Sequence, residues 1–225
     1  MLFIATDSAV SRVKCNPGKA RGSCPSWNNL AVAASKHSGW RRKISVAEIA
    51  IGAGCQIIND VSGLKHDERL ADVAARHKVP LILMHMRGTP RTMQKQPFAK
   101  NVLRDVVTGL GRSLAIARRA GVPKSQIILD PGIGFGKSYN QNYELLAKLP
   151  KLAEIGYPLL VGTSRKGFLG STLAQKGKPA ASDKRIWGTA ATVTASILLG
   201  VHIVRVHDVA EMVQVATIAD AVLAG

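Results

Sequence analysis

Short apolar runs alternate with longer amphipathic stretches from about Ser45 to the end of the chain. Runs that are apolar at nearly every position are typical of parallel strands buried on both faces. Five strands are predicted on this basis, at residues 56–61, 81–86, 127–130, 159–163 and 203–207. Helices are predicted at residues 47–53, 67–77, 99–120, 141–155, 186–199 and 209–223, with Gly121 and Gly156 as helix stops. This alternation predicts βα units on one parallel sheet in a single domain.

Polar or ionisable side chains occupy the carboxyl end of every predicted strand. They are Asn59 and Asp60, His85 and Arg87, Asp130, Ser164 to Lys166, and Arg205 with His207. In a (β/α)8 barrel the functional groups project from these ends, whereas strands chosen only for packing end in turn residues. A doubly wound sheet binds ligands at the same edge, but the sequence shows neither its Gly-rich first turn nor a strand-order reversal. The pattern therefore favours an α/β fold of the TIM (β/α)8-barrel type.

The segment from Asp130 to Ser138 comes close to the phosphate-binding motif G-x-x-x-x-G-K-[ST]. Pro131 stands where the first glycine belongs, and no later apolar strand ends in an aspartate that would bind magnesium. A loop that covers a substrate is the alternative. Its glycines would let the backbone approach a ligand closely, and Asp130 would accept hydrogen bonds from a planar nitrogenous ligand.

Arg205 lies inside the apolar run 203–207, two positions before His207, so both side chains face the same way. A buried guanidinium is costly unless it has an anionic partner, and a phosphate group is the natural candidate. Arg165 and Lys166 follow the preceding strand, where they either bind an anion or lie in a solvated turn. His85 is either a site residue or simply hydrogen-bonded, and the sequence shows no cluster with metal-ligand spacing.

The chain carries 31 lysines and arginines against 14 acidic residues, a net charge of +17. Eight basic residues and one acidic residue lie in residues 1–43, a composition found in transit peptides and also in altered reading frames. We therefore expect a basic, poorly ordered or transit-like segment at residues 1–43 and a partial barrel domain at residues 44–225. Three cysteines without a C-x-x-C pair fit a reducing compartment. A cytoplasmic location is expected, with a mitochondrial or plastid location as the alternative.

Two classes of partner are excluded by composition. Aromatic residues make up only 4% of the chain, and they do not form the basic and aromatic stripe that single-stranded nucleic-acid binding uses. Membrane spans need about 20 consecutive apolar residues, and the apolar runs are far shorter. No nucleic-acid or membrane partner is expected.

Five short motifs follow one another from about Ala47 to Gly225: Ile58 to Gly63, Leu83 to Gly88, Ile128 to Phe135, Gly162 to Lys166 and Arg205 to Asp208. In order and spacing they resemble the dihydropteroate synthase family. The resemblance implies a barrel-shaped transferase, usually a homodimer, that joins 4-aminobenzoate to 6-hydroxymethyl-7,8-dihydropterin diphosphate. Diphosphate is released and 7,8-dihydropteroate is formed for folate biosynthesis, and sulfonamides target this step. Magnesium is implied as an ion that accompanies the substrate diphosphate, with no metal ligand assigned to the protein.

The resemblance also implies roles for single residues. Asn59 and Asp130 would bind the edge of the pterin ring, with Lys166 reaching toward the same ring. The slot for the ring would be lined by Val61, Ile82, Met84 and Gly162. Arg205 and His207 would hold the diphosphate, and Phe135 would help to form the aminobenzoate pocket with the loop after Lys166. The catalytic set implied is Lys166, Arg205, His207 and Asp130. Gly167 departs from the family, which often has serine at this position.

The front of the chain departs further from the family pattern. The family's opening N-V-T-P-D-S-F strand and loop, its Gly-rich second segment and its I-D-T strand are absent here. Residues 44–46 resemble the start of that third strand but run directly into Ala47. Because a βα unit needs about 30 residues, we expect the first two to three units to be missing or degenerate, and a standard barrel not to close from this chain alone.

Two structural consequences stay open at this point. Residues 2–6, 30–34 and 44–46 could serve as substitute strands that close a small barrel around a pterin pocket. Alternatively, an exposed apolar strand edge remains, and the chain needs a partner or is inactive.

Two alternatives to the synthase stay open as well. One is a catalytically impaired pterin-binding or interaction protein that lacks the first catalytic loop. The other is a different pterin-barrel enzyme, such as a methyltetrahydrofolate methyltransferase. The cations at Ser164 to Lys166 and at Arg205 to His207 argue against the methyltransferase, because its substrate lacks the diphosphate that they would bind.

Overall fold

The computed structural model describes residues 2–5, 10–15, 31–34, 42–89, 92–93 and 99–225. Its strands are β1 Leu2–Ala5, β2 Val10–Cys15, β3 Ala31–Ala34, β4 Cys55–Asp60, β5 Leu81–Met84, β6 Ile127–Asp130, β7 Leu160–Val161 and β8 Ile203–Val206. Its helices are α1 Arg42–Gly52, α2 Leu70–His77, α3 Val102–Arg119, α4 Tyr139–Ala147, α5 Leu149–Ala153, α6 Gly167–Thr172, α7 Ile186–Leu198 and α8 Val209–Ala224. Short 3-10 turns lie at Lys124–Gln126 and Ser182–Arg185. Within the described ranges, no helix combines the length and the apolar character needed to cross a membrane.

The strands form a single sheet in the order β6-β5-β4-β3-β2-β1-β8-β7. Strand β2 pairs antiparallel with β1 and with β3, and the other ladders are parallel. Strands β6 and β7 stand at the two ends of this order. A parallel bridge pairs Leu129 of β6 with Leu159, the residue before β7. The Leu129 amide also donates a hydrogen bond to the carbonyl of Pro158 at 2.9 Å. The first and last strands of the order therefore lie next to each other.

The five strands predicted from the apolar runs are present as β4 to β8. The helix predicted at residues 141–155 is divided into α4 and α5, because Pro150 in the first turn of α5 has no amide hydrogen to continue the preceding helix. Helix α6 was not predicted, since its six residues include two glycines and show no helical periodicity. Gly121 and Gly156 follow helices with φ of 85° and 80°, as expected of helix stops.

The prediction that residues 44–46 begin a strand is wrong, because they lie in α1. Ile44, Ala47 and Ile51 recur at helical spacing and pack against the core, while Val46 and Ile49 are exposed. Residues 2–5 and 31–34, within the other two segments considered as substitute strands, do form strands β1 and β3. Thr6 and Leu30, which complete those segments, lie outside the described residues.

Alternate residues of the buried strands belong to two different layers, as the two-residue period of a strand requires. One set packs with the helices in the main core: Ile58, Leu81, Leu83, Ile127, Leu129, Val161, Val204 and Val206. The alternate set is buried outside that cluster and comprises Ile57, Ile82, Ile128, Leu160 and Ile203. Two positions closer to the carboxyl end of each strand, the same face carries Asn59, Met84, Asp130, Gly162 and Arg205. The fold thus places an apolar floor below a group of mostly polar positions.

Candidate active site

Asp130 ends β6 and is 1% exposed. Its Oδ1 atom accepts a hydrogen bond from the Gly132 amide at 2.7 Å. Its Oδ2 atom is buried without a hydrogen-bond partner among the described residues and lies 3.8 Å from Nη2 of Arg205. Because a buried polar atom normally has a partner, this oxygen marks a position where a ligand can donate a hydrogen bond.

Asn59 presents a second buried oxygen of the same kind. It lies near the end of β4, is 2% exposed, and its Oδ1 has no partner within the described part of the chain. In the parallel ladders, Asn59 pairs with Ile82, and Met84 pairs with Asp130. Since paired residues of parallel strands face the same side, the two unpartnered oxygens lie over one face of the sheet. The arrangement suits a flat ligand that carries several N–H donors.

Lys166 lies in the turn between β7 and α6, opposite the loop that follows β6. Its Nζ donates a hydrogen bond to the carbonyl of Ile133 at 2.8 Å and lies 3.9 Å from the centre of the Phe135 ring. A Cβ atom at Gly134, where φ is 82°, would come within 2.9 Å of the Lys166 side chain. Burial, followed by the nearby Arg205, lowers the pKa of Lys166 to about 7, and Asp130 opposes this shift. The amine therefore titrates near neutral pH at the centre of the site.

Arg205 and His207 supply the cationic edge. The Arg205 side chain is 14% exposed and passes over Gly162, where an added Cβ would lie 3.2 Å from Nε and Nη2. His207 follows β8, and its Nδ1 lies 2.9 Å from Oγ of Ser164, which also accepts a hydrogen bond from the His207 amide at 3.1 Å. These contacts orient His207 at the same end of the sheet as Arg205, where an anionic group can be bound.

Arg165 is part of the protein framework. Its guanidinium forms a two-pronged ion pair with Asp208, with Nε 3.1 Å from Oδ2 and Nη2 in contact with Oδ1. Its amide donates to the Thr189 hydroxyl at 3.2 Å, and its carbonyl accepts from Arg185 at 2.8 Å. The sequence predicted that this residue either binds an anion or lies in a solvated turn. The structure instead shows that Arg165 fixes the Lys166 turn against the start of α8.

The remaining predicted site residues lie around this group. Ile82 and Met84 are fully buried in β5, and Gly162 is buried directly after β7. Val61 lies half-buried in the turn after β4, and Phe135 lies half-buried in the loop after β6. The described contacts bring together Lys166 with Phe135, Asp130 with Arg205, and Arg205 with Gly162.

Two further elements of the site had no clear signal in the sequence. The carbonyl of Ile133, which accepts from Lys166, is a backbone group that sequence patterns do not distinguish. Lys137 appeared only as part of an imperfect phosphate motif, yet it is 3% exposed, and its Nζ donates to the carbonyls of Gly132 and Phe135. Lys137 is buried because the loop that follows β6 folds back on the end of β5.

The described side chains do not fit a magnesium ion held by the protein. No group of three or more histidines, cysteines, aspartates and glutamates in the described ranges is arranged to hold a metal. Magnesium prefers oxygen ligands, whereas the side chains around Asp130 are the cations Lys166 and Arg205.

Comparison with known proteins places this geometry in a family. The family model described as "Pterin binding enzyme" matches residues 42–207. The chain belongs to the pterin-binding enzyme family. It is 45% identical over 179 residues to the dihydropteroate synthase of Synechocystis sp., a match covering 80% of this chain and 61% of that protein.

Solved structures agree with this assignment. The dihydropteroate synthase of Clostridium difficile in the presence of pteroic acid has a TM-score of 0.71 and 39% identity, covering 80% of this chain and 64% of that one. The dihydropteroate synthase of Xanthomonas albilineans with 4-aminobenzoic acid has a TM-score of 0.75 and 34% identity, covering 86% of this chain and 65% of that one. The predicted α/β class and the resemblance to dihydropteroate synthase are confirmed. The chain spans about three-fifths of the length of the curated relatives that it matches.

Proposed function

We propose that the chain acts as a dihydropteroate synthase, joining 4-aminobenzoate to 6-hydroxymethyl-7,8-dihydropterin diphosphate and releasing diphosphate. The observation that carries this proposal is the buried, unpartnered Oδ2 of Asp130 with Arg205 at 3.8 Å and Lys166 nearby. This juxtaposition offers a hydrogen-bond acceptor for a pterin ring beside cations for its diphosphate. Relatives that are 38–45% identical and bear the name of this activity support it.

The pterin ring would lie on the face that carries Asn59 and Asp130, above the apolar floor of the sheet. The free oxygens of these two residues would accept hydrogen bonds from the ring N–H groups. Val61, Ile82, Met84 and Gly162 would line the slot. The Lys166 amine would reach the same ring from the opposite side of the site, held by the carbonyl of Ile133.

The reaction would begin with cleavage of the bond between the pterin methylene carbon and the diphosphate oxygen. The electron pair leaves with diphosphate, and Arg205 and His207 stabilise the negative charge that develops there. The pterin cation that remains is attacked by the amine nitrogen of 4-aminobenzoate, and the new C–N bond leaves a protonated nitrogen that gives its proton to solvent. Phe135, with the loop after Lys166, would hold the aminobenzoate ring.

We also propose that the eight strands close into a barrel, contrary to the expectation from chain length. The bridge between Leu129 and Leu159 and the hydrogen bond from Leu129 to Pro158 support closure between β6 and β7. Strands β1 to β3 then lie between β8 and β4, with β2 running antiparallel to its neighbours. The proposed barrel includes β1 to β3, so the pterin-binding domain would extend in front of the predicted boundary at residue 44. The transit-like character of residues 1–43 stays a prediction.

A homodimer through α7 and α8 is proposed because these helices expose large apolar side chains. Trp187 is 79% exposed, Ile218 67%, Val222 66% and Leu198 43%. The last three of these border a groove between α7 and α8 that Ala190, Ala191 and Val215 also line. Apolar patches of this kind are typical of interfaces between protein chains. We further propose that magnesium arrives bound to the substrate diphosphate and has no ligands from the described part of the chain.

The proposal is tested by measuring diphosphate release that depends on both 4-aminobenzoate and the pterin diphosphate. We expect turnover by the parent chain and its loss in Lys166→Ala. Calorimetric binding of the pterin diphosphate without any turnover would instead assign a pterin-binding protein. Neither binding nor turnover by a cooperatively folded chain would overturn the proposed function.

A further inference from the structure

Lys137 is the most deeply buried lysine among the side chains that the structure describes, and none of the described carboxylates forms an ion pair with it. Its residue is 3% exposed. The Nζ atom donates to the carbonyl of Gly132 at 2.9 Å, to the carbonyl of Phe135 at 3.1 Å, and to Nδ1 of His85 at 3.1 Å. The carbonyl oxygen of His85 lies a further 3.5 Å from Nζ, so the N–H groups of the buried amine are satisfied by neutral acceptors. Burying such a group is unfavourable unless its hydrogen bonds are satisfied, so the contacts account for its presence.

His85 is held in a state that lets it accept this hydrogen bond. Burial, with further contributions from Lys137, Lys65 and Arg87, lowers the pKa of His85 to about 2. The ring is therefore neutral near pH 7 and accepts at Nδ1, which places its proton on Nε2. That nitrogen lies 3.5 Å from Oδ2 of Asp105, a residue of α3. Lys137 thus joins the loop after β6 to the end of β5 and, through His85, to α3.

The loop that Lys137 holds folds closely onto the end of β5. A Cβ atom at Gly132, where φ is 66°, would lie 1.9 Å from the carbonyl oxygen of His85, so this contact requires glycine. The two carbonyls closest to the Lys137 nitrogen are those of Gly132 and Phe135, at the two ends of residues 132–135. The ammonium therefore bridges the two ends of a four-residue segment and fixes its curvature.

The same segment makes both described contacts with the Lys166 amine. Ile133, between the two carbonyls bonded by Lys137, accepts from Lys166 at 2.8 Å. Phe135, whose carbonyl bonds Lys137, places its ring centre 3.9 Å from the Lys166 nitrogen. A change in the curvature of residues 132–135 would move both contacts together.

We propose that Lys137 is a positioning residue that holds residues 132–135 in the shape that seats Lys166 and orients the Phe135 side of the aminobenzoate pocket. The hydrogen bonds of Lys137 are to His85 and to the loop, so its effect is proposed to act through the loop. Its effect should reach both substrates, because Lys166 is proposed to contact the pterin ring and Phe135 to help form the aminobenzoate pocket. The kinetic part of this inference rests on the proposed function.

The experiment compares the parent chain with Lys137→Met, which keeps the length of the side chain and removes its donors. Lys148→Met is the matched control, since Lys148 is a solvent-accessible lysine just after α4 that pairs with Glu144. Hydrogen exchange followed by mass spectrometry should show exchange at residues 131–137 about tenfold faster or more in Lys137→Met, with α8 unchanged. In Lys148→Met, hydrogen exchange at residues 131–137 and in α8 should be as slow as in the parent.

Steady-state kinetics provide the second measurement. Lys137→Met should raise the KM for 4-aminobenzoate and the KM for the pterin diphosphate about tenfold or more, while Lys148→Met should leave both within about threefold of the parent. Lys137→Gln, whose amide keeps two N–H donors, should recover part of the loop protection, and it serves as the test if Lys137→Met does not fold.

The two proposals fail in different ways. Loop exchange that stays at the parent rate, or that rises equally throughout the protein, overturns the positioning role whatever the activity of the parent. In a parent chain that turns over, KM values for both substrates that stay within about threefold in Lys137→Met also overturn it. A parent chain without turnover overturns the proposed function alone, and the exchange comparison then decides the role of Lys137.

Discussion

Replacing Asp130 with asparagine tests whether its unpartnered oxygen is a ligand site, and Asp60 supplies a matched control. Both aspartates end buried strands, and each is 1% exposed. The Asp60 carboxylate is fully engaged, since Oδ1 accepts from the amide and hydroxyl of Ser62 and Oδ2 accepts from the Leu64 amide at 2.6 Å. Of these two aspartates, only Asp130 has a carboxylate oxygen without a hydrogen-bond partner among the described residues. The two substitutions should therefore separate ligand binding from stability.

The expected magnitudes follow from these contacts. In Asp130→Asn, the amide oxygen keeps the Gly132 hydrogen bond, and an NH2 group replaces the oxygen that a pterin N–H would approach. Losing a hydrogen bond to a charged acceptor costs about 1.5–3 kcal/mol, which corresponds to a Kd roughly 10- to 150-fold higher. In Asp60→Asn, the amide of either Ser62 or Leu64 loses its acceptor in each orientation of the new side chain. That cost of about 2–3 kcal/mol should lower Tm by roughly 4–12 °C in a chain of this size.

Isothermal titration calorimetry with the pterin diphosphate, well below the unfolding transition, gives Kd for the folded protein. We expect a large increase in Kd for Asp130→Asn and a value within about threefold of the parent for Asp60→Asn. Circular dichroism during heating checks that each variant folds cooperatively. Equal Kd values for Asp130→Asn and the parent would refute the assignment of the free oxygen to the ligand. A Kd for Asp60→Asn that rises as much as that of Asp130→Asn would refute the contrast between the two carboxylates.

Three further results are expected. Arg205→Ala should raise the Kd for the pterin diphosphate about tenfold or more in the same calorimeter, while its Kd for a pterin without diphosphate changes little. Burial lowers the pKa of Lys137 and of Lys166 to about 7, so from pH 7 to about 10 the unfolded chain binds more protons and stability rises with pH. Chemical unfolding should show this rise, by up to about 1.4 kcal/mol per pH unit for each lysine, and a shallower slope in Lys137→Met; a slope unaffected by the substitution would contradict the lowered pKa. Ile218→Glu should convert a dimer to a 23.9 kDa monomer in light scattering, whereas Val107→Glu on α3 should leave the mass unchanged; a parent that is already monomeric would count against the dimer.

The positions of β4 to β8 were predictable because a parallel strand buried on both faces needs an almost unbroken apolar run. The helix α1 shows where the family resemblance misled. Ile44, Ser45 and Val46 resemble the start of a strand of the family, yet the spacing of Ile44, Ala47 and Ile51 lets one helical face pack against the core. Three residues carry too little periodicity to separate the two outcomes, and burial of the longer pattern decides between them.

The candidate site divides in the same way. The polar groups at the strand ends could be found in the sequence, since the carboxyl ends of parallel strands gather at one edge. The hydrogen-bond or ion-pair partner of each cation could not be found in the sequence. Arg165 and Lys166 are adjacent, but Arg165 pairs with Asp208 while Lys166 bonds the carbonyl of Ile133.

By itself, the sequence determined the βα order, the apolar strands and the polar groups that end them, because these depend on periodicity and on the burial that each residue type favours. Tertiary structure alone decided which oxygen of Asp130 stays free and which lysine holds the loop. It also decided that a neutral histidine, 52 positions away along the chain, accepts from Lys137. The physical reason is that desolvation and hydrogen bonding act over a few ångströms in space, and packing, not sequence distance, sets which groups come that close.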